Sequence, residues 1–199
     1  MAKTCESKKI YTDLNSPKLK KIVVIGPEST GKSTLCEQLA SHFECIWCPE
    51  FARSYLLKHG KSYTYQDLLI IAKGQIALED QFTEAATSKR KGDSILPLII
   101  DTDMYVMKVW SEFVYGKCHS YILDQIVKRT YDLYFLCNID LPWVKDELRE
   151  YPDIDTRKRL FSIYKDILVN QATPWTEISG SPQTRLHTAV AEVWRTIRA

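Results

Sequence analysis

Residues 26–33, Gly-Pro-Glu-Ser-Thr-Gly-Lys-Ser, have the types and spacing that bind phosphate groups. They fit the pattern G-x-x-x-x-G-K-[ST], in which backbone N–H groups turn inward and form a concave anion site. In such a loop the lysine, here Lys32, reaches the β- and γ-phosphates, and the hydroxyl of Ser33 ligates Mg²⁺. The pattern therefore predicts a nucleoside triphosphate site. Its predicted binding residues are Gly26, Glu28, Ser29, Thr30, Gly31, Lys32, Ser33 and Thr34.

The segments on either side of this loop fit the same interpretation. Residues 21–25 are a short apolar run typical of a strand, and residues 32–43 place apolar side chains on one face of a helix. A helix that begins after the loop points its unpaired N–H groups and the positive end of its dipole at the bound phosphates. A chance match would not bring this strand and this helix with it.

Length and composition indicate a globular protein of ordinary charge. The chain has 199 residues, of which 45% are hydrophobic and 26% charged, and a formal net charge of +2. We predict one domain over residues 19–199, preceded by a polar leader over residues 1–18. The charge favours neither a nucleic-acid partner nor a membrane, and no run of about 20 apolar residues is present. We expect a cytoplasmic protein.

Apolar runs typical of strands alternate with helical patterns along the whole chain. Strands are predicted at 21–25, 44–48, 96–100, 132–137 and 175–178. Helices are predicted at 32–43, 50–60, 65–91, 104–114, 120–130, 156–170 and 185–197. This alternation indicates an α/β protein with a parallel sheet covered on both faces, and right-handed crossovers make the sheet doubly wound. The predicted fold is a five-stranded P-loop kinase-like domain.

Polar residues follow the predicted strands where ligands bind in such sheets, at the carboxyl ends. Asp101 ends an apolar strand, and we predict that it holds Mg²⁺ directly or through water. Asp103 is predicted to bind ribose hydroxyls or to act as the base, but an N-cap of the following helix is an alternative. Glu50 and Asn138 lie at equivalent positions after other strands.

Four segments together resemble the ribosylnicotinamide kinase domain of the NadR family. They are residues 26–34, Pro-Glu-Phe-Ala-Arg-Ser-Tyr at 49–55, Ile-Asp-Thr-Asp at 100–103 and Pro-Trp-Val-Lys-Asp-Glu-Leu-Arg at 142–149. The resemblance implies a P-loop kinase that uses ATP and Mg²⁺ to phosphorylate nicotinamide riboside, giving nicotinamide mononucleotide for NAD synthesis. In that family the kinase is often fused to an adenylyltransferase and a DNA-binding segment. Residues 1–18 are too short for either, so only the kinase activity is expected here.

The resemblance also implies roles for individual residues. Glu50 corresponds to a carboxylate that faces the acceptor hydroxyl and serves as general base, although an acid favoured by the helix dipole is the alternative. Arg53 is expected in the acceptor site. Trp143, in the loop after the fourth strand at the ligand-binding edge, is predicted to stack on the cationic nicotinamide ring, and a core residue under the lid is the alternative. An arginine of a lid would neutralise the transferring phosphoryl group. One or two of Arg149, Arg157 and Arg159 are predicted to do this, with Arg149 as the representative and the choice among them left open.

Two other functions are compatible with the phosphate loop. One is a kinase for another nucleoside or for a nucleotide; the other is a regulatory switch whose bound ATP controls a partner. A switch needs no acceptor pocket, whereas Glu50, Arg53, Asp103 and Trp143 are predicted to gather at one edge of the sheet. A small-molecule kinase is therefore favoured. The choice between ATP and GTP and the oligomeric state are left open.

Overall fold

The computed structural model describes residues 19–89 and 95–199. The predicted leader and the predicted end of the third helix, at residues 90–93, lie outside the described residues. In chain order the elements are β1 (Lys20–Ile25), α1 (Lys32–His42), β2 (Trp47–Cys48), α2 (Phe51–His59), α3 (Tyr65–Lys89), β3 (Pro97–Asp101), α4 (Met104–Tyr115), α5 (Ser120–Lys128), β4 (Leu133–Cys137), α6 (Ile154–Val169), β5 (Trp175–Ile178) and α7 (Pro182–Arg198).

The five strands form one parallel sheet in the order β2-β3-β1-β4-β5. The central strand β1 pairs with β3 on one side and with β4 on the other, so Val23 lies between Ile100 and Tyr134. All carboxyl ends of the strands therefore lie at one edge, and the phosphate loop leaves the sheet from its middle strand. The predicted doubly wound parallel sheet is confirmed.

The core explains why the strands are almost continuously apolar. Ile22 and Val24 of β1 pack on the face covered by α1 and α7, and Val23 and Ile25 pack on the face covered by α4 and α6. All four side chains are fully buried. In a sheet with one exposed face, every second residue of a strand is polar. Both faces of this sheet are covered, so those positions are apolar as well. A third cluster joins α2, α3, α4 and α5 beside the sheet.

Most element boundaries differ from the predictions by one or two residues, and two differ by three residues for local reasons. Strand β2 has two residues rather than five, because Glu44 has a positive φ of 50° and the N–H of Cys45 donates to Ala40 in α1. Residues 43–45 therefore bond back to the end of α1, and the chain joins the sheet only at Trp47. Helix α7 begins at Pro182, three residues early, because Ser181 caps it and accepts a hydrogen bond from Thr184 N–H. Proline is well suited to the first helical position.

None of the described helices is long and apolar enough to cross a bilayer.

Candidate functional site

The phosphate loop is shaped by glycines at two points where the backbone angle disfavours other residues. Gly26 has a φ of 142°, and a Cβ at this position would lie 2.8 Å from the carbonyl oxygen of Cys137 in β4. Gly31 has a φ of 76° and stands immediately before α1. Glycine reaches such angles without the steric cost that other residues have. Ser29, which is not glycine, is also held at a positive φ of 57°.

Hydrogen bonds inside the loop fix its curvature. The hydroxyl of Thr30 donates to the carbonyl of Pro27 over 2.8 Å, and the ammonium group of Lys32 donates to the same carbonyl over 3.0 Å. Lys32 therefore lies across the loop rather than extending into solvent. The loop, Lys32 and the beginning of α1 together present N–H donors and a positive charge to one space.

Ser33 and Asp101 form a short pair beside the loop. The hydroxyl of Ser33 donates to Oδ2 of Asp101 over 2.5 Å. Asp101 is 1% exposed, and its Oδ1 is buried with no hydrogen-bond partner among the described residues. Burial raises the pKa of Asp101, while Lys32 and the Ser33 hydroxyl lower it. A hydroxyl and a carboxylate with one free oxygen suit Mg²⁺, which prefers oxygen ligands, so these residues fit the metal that the motif predicts.

Glu50 is placed in the same space because another residue caps its helix. Glu50 stands at the N-cap position of α2, yet its side chain makes no capping hydrogen bond. The side-chain oxygen of Gln75 in α3 accepts from the Phe51 N–H instead, over 2.7 Å. Burial and the charge of Asp101 raise the pKa of Glu50 from 4.5 to about 7, against opposing effects of Lys32 and Arg53. A carboxylate with this pKa is suited to accept a proton near neutral pH.

A cavity of about 410 Å³ connects the phosphate loop and Glu50 with an apolar region. At one end the lining consists of the loop residues 26–34. At the other end it is aromatic and aliphatic, and the lining includes Leu56, Tyr63, Val106, Val109, Trp110, Phe113, Leu148, Tyr151, Leu160 and Tyr164. We call these two parts the phosphate half and the aromatic half. Glu50 is close to both parts, because Lys32 opposes the burial that raises its pKa and Glu50 itself adds to the burial that raises the pKa of Tyr164.

The aromatic half contains the functional candidates that the sequence reasoning missed. Trp110 of α4 donates its indole N–H to the Tyr63 hydroxyl over 2.8 Å, and the two rings meet edge to face at 4.8 Å. Tyr63 in turn donates to the carboxylate of Glu150 over 2.9 Å. The available signal was the spacing of Val106, Val109, Trp110 and Phe113 along one helix face, but this spacing is equally typical of core residues.

Asp103 occupies the alternative role that the sequence left open. Its Oδ1 accepts from the N–H groups of Tyr105 and Val106, which caps α4, and its Oδ2 accepts from the Tyr134 hydroxyl over 2.8 Å. The residue is 2% exposed and does not line the cavity. Burial raises its pKa to about 7. Both carboxylate oxygens thus accept hydrogen bonds within the protein, from the start of α4 and from Tyr134.

Trp143 has its hydrogen-bond partner in the phosphate loop. It belongs to the connection between β4 and α6, which we call the 138–153 loop, and its indole N–H donates to Glu28 over 3.2 Å. Trp143 is absent from the cavity lining, to which the same loop contributes Leu148 and Tyr151 instead. Arg53 does line the cavity, but both guanidinium ends bind Asp146 of the same loop, over 3.0 and 3.2 Å.

The three arginines considered for the lid have distinct environments. Arg149 lines the cavity and donates to the carbonyl of Val144. Arg157 is 3% exposed, donates to the carbonyl of Ser29 over 3.4 Å, and has a buried Nε without a partner among the described residues. Burial lowers its pKa. Arg159 is exposed, and its guanidinium lies over the Phe113 ring. Arg149 and Arg157 are therefore the two that adjoin the phosphate half.

The sheet order and the phosphate loop define a P-loop kinase fold, and solved structures agree. A NadR protein in complex with NR has a TM-score of 0.74 and 18% sequence identity, covering 91% of this chain and 50% of that one. A NadR protein with NAD and AMP-PNP gives a TM-score of 0.66 at the same coverage and identity. Thymidylate kinase from Ehrlichia chaffeensis gives a TM-score of 0.63 and 16% identity, covering 89% of this chain and 99% of that one.

The family follows from the sequence. The model of a family described as AAA domain matches residues 21–185, and the chain belongs to this family. It is also 26% identical over 163 residues to the trifunctional NAD biosynthesis/regulator protein NadR of Salmonella typhimurium LT2, and equally to that of Escherichia coli K12. The alignment covers 80% of this chain but 38% of either relative. The resemblance to NadR that the four segments predicted is confirmed.

Proposed function

We propose that this protein is a kinase that transfers the γ-phosphoryl group of ATP to nicotinamide riboside, giving nicotinamide mononucleotide. The observation that carries the proposal is the continuity of one cavity from the phosphate loop, past Glu50, to an aromatic region. A regulatory switch would need only the phosphate half of this cavity. The similarity to NadR proteins, one of which was solved with NR, supports nicotinamide riboside as the acceptor.

The phosphate half supplies charge stabilisation for the transfer. Lys32 and the loop N–H groups would hold the β- and γ-phosphates, and Arg149 and Arg157 would neutralise charge that develops on the moving group. Ser33 and Asp101 would hold Mg²⁺, which supplies further charge neutralisation at the phosphates when bound. Because little covalent chemistry is required in phosphoryl transfer, this positioning of charges accounts for most of the expected catalysis.

Glu50 would act as the general base. It lines the same cavity as the residues of both halves, and no described residue donates a hydrogen bond to its carboxylate. A 5′-hydroxyl held beside it would lose its proton as the bond to phosphorus forms. The raised pKa of Glu50 makes the carboxylate a stronger base than a solvent-exposed glutamate, while it is still largely ionised at slightly alkaline pH.

The charge of the aromatic half favours a cationic base over a nucleotide acceptor. Glu147 and Glu150 line this region, and Arg53 is paired with Asp146. Lys61 also lines the aromatic half, and it forms no ion pair with any described residue. The pyridinium ring of nicotinamide riboside would gain from the aromatic faces of Trp110 and its neighbours, with cation–π attraction of about 2 kcal/mol when desolvated.

A panel of acceptors tests the proposal. The protein is incubated with ATP, Mg²⁺ and, in separate reactions, nicotinamide riboside, a neutral nucleoside and thymidine monophosphate, and each product is separated and quantified. We expect nicotinamide riboside to be phosphorylated with the highest kcat/KM. Preferential turnover of thymidine monophosphate would indicate that the natural acceptor is a nucleotide rather than a nucleoside. Binding of ATP without transfer to any acceptor would support the switch instead.

A further inference from the structure

Glu28, which the pattern placed among the predicted phosphate-binding residues, is the acidic residue of the loop. A carboxylate that faces the phosphates of a nucleotide would repel them, and the repulsion is larger in a partly desolvated site than in water. The structure shows where this charge is directed. Its Oε1 accepts from the N–H of Tyr151 over 2.6 Å and from the indole of Trp143 over 3.2 Å, and its Oε2 accepts from the N–H of Glu150 over 2.8 Å.

These contacts attach the 138–153 loop to the phosphate loop. Hydrogen bonds to an ionised acceptor are about twice as strong as neutral ones, and Glu28 makes three. The neighbouring Ser29 adds a fourth connection, because its hydroxyl oxygen accepts from the Val144 N–H over 2.9 Å. Residues 143–151 have no regular secondary structure, so bonds to groups outside the loop position it. The bonds to Glu28 and Ser29 attach it to the phosphate loop, and the pair of Arg53 with Asp146 attaches it to α2.

Glu150 extends this connection to the aromatic half. Its main-chain N–H binds Glu28, while its side chain accepts from the Tyr63 hydroxyl over 2.9 Å. The same hydroxyl accepts from the Trp110 indole over 2.8 Å. A continuous path of hydrogen bonds therefore runs from the phosphate loop, through the 138–153 loop, to the wall of the acceptor region.

We propose that Glu28 is a positioning residue that holds the 138–153 loop over the cavity and so aligns the two halves. The effect of Glu28 on catalysis rests on the proposed function. A loop held in this position keeps water from the phosphoryl group and leaves the acceptor as the favoured nucleophile. Loss of the carboxylate would release the loop, so ATP would be hydrolysed at the expense of transfer.

Two substitutions at Glu28 are compared with one matched control. Glu28→Ala removes all three acceptor bonds, and Glu28→Gln keeps one acceptor oxygen but turns an NH₂ group toward an N–H donor. The control is Glu84→Ala, which removes an exposed carboxylate from α3, away from the cavity lining. Hydrogen exchange of the peptide covering residues 143–151 reports the loop, and the ratio of acceptor phosphorylation to ATP hydrolysis reports its effect on chemistry.

For Glu28→Ala we expect exchange in residues 143–151 to become about tenfold faster, while peptides from β1 and α1 keep the parent rate. The ratio of transfer to hydrolysis should fall by about tenfold, because water gains access to the phosphoryl group. Glu28→Gln should lie between Ala and the parent on both measures, and Glu84→Ala should match the parent. If Glu28→Ala does not fold, the Gln variant alone decides, since it preserves the side-chain shape.

Unchanged exchange in residues 143–151 would overturn the proposal, because the contacts would then not hold the loop. Faster exchange with an unchanged ratio would also overturn it, since Glu28 would be a structural anchor without influence on the two halves. Failure of the proposed acceptor is distinguishable from both outcomes. If no nucleoside is phosphorylated by the parent protein, the exchange rates and the rate of ATP hydrolysis still compare Glu28→Ala with Glu84→Ala.

Discussion

The phosphate half of the cavity comes from one continuous stretch, residues 26–34, whereas the aromatic half is assembled from α2, the segment after it, α4, the 138–153 loop and α6. The first is made mostly of backbone N–H groups, glycines and a lysine whose positions follow from local geometry. The second is made of side chains that meet only after the helices have packed. Binding of phosphate groups, which all nucleotides share, is thus encoded by one local stretch of sequence. Selection of an acceptor depends on tertiary structure.

The largest effect is expected from breaking the phosphate half. Lys32→Ala should reduce phosphoryl transfer by at least a thousandfold, about 4 kcal/mol of barrier, because a positive charge at the β- and γ-phosphates is lost. The melting temperature should be nearly kept, as Lys32 makes a single hydrogen bond to Pro27. Initial rates and thermal unfolding are measured beside Lys58→Ala, an exposed lysine of α2. Equal turnover by Lys32→Ala and the parent would contradict the nucleotide site.

The next effect concerns the junction of the two halves. Glu50→Gln should lower the rate by about a hundredfold, the lower range for loss of a general base. In the parent the rate should rise with pH through about 7 and then level, because the raised pKa keeps Glu50 protonated, and unable to accept a proton, below that point. Rates are recorded from pH 5.5 to 9. A profile of the same shape in Glu50→Gln would assign the base to another group.

A substitution at Asp101 tests the metal site and sharpens the result for Glu50. Asp101→Asn should raise the Mg²⁺ concentration for half-maximal rate by about tenfold or more, since an amide lacks the charge that holds a hard cation. In protein free of Mg²⁺, Asp101→Asn should also lower the pKa of Glu50, because the charge of Asp101 contributes to raising it. An unchanged Mg²⁺ titration with an unchanged maximal rate would exclude Asp101 from the metal site.

The sequence predicts the locally encoded parts of the site better than the parts that long-range contacts assemble. The strand, loop and helix around Gly26 and Gly31 are local, so the pattern identified them, and the apolar run before Asp101 placed that residue at the correct edge of the sheet. The path of the 138–153 loop depends instead on contacts with Glu28, which is more than a hundred residues away along the chain. Trp143 was therefore predicted in the acceptor site, while Trp110 had the pattern of a core residue.

Comparison of the two tryptophans tests whether the aromatic half selects the acceptor. Trp110→Leu should raise the KM for nicotinamide riboside by about tenfold, corresponding to about 1.4 kcal/mol of lost ring attraction, and should affect a neutral nucleoside less. Trp143→Leu should change both acceptors by the same factor, because it acts through Glu28 rather than on the ring. KM values for both nucleosides and for ATP are compared. Selective loss of nicotinamide riboside in Trp143→Leu would restore the original assignment.

The smallest effect on activity is expected at Asp103, which lies near both halves and lines neither. Asp103→Asn keeps an oxygen to accept from Tyr105 and Val106, and asparagine is as good an N-cap as aspartate. We therefore expect parent KM and kcat at pH 8. A raised KM for the acceptor would move Asp103 into the aromatic half and break the division drawn between the two parts.

Stability as a function of pH reveals the role of Asp103 instead. Burial raises its pKa from 3.8 to about 7, so the folded protein binds a proton that the unfolded chain releases at lower pH. Its contribution to stability is therefore present below about pH 4 and is lost as the pH rises toward 7. Urea midpoints at pH 5 and pH 8 should differ less in Asp103→Asn than in the parent, while Asp124→Asn, an exposed change on α5, should leave the difference as it was. Equal differences in all three proteins would mean that Asp103 is not the buried titrating group that its contacts with Tyr105, Val106 and Tyr134 indicate.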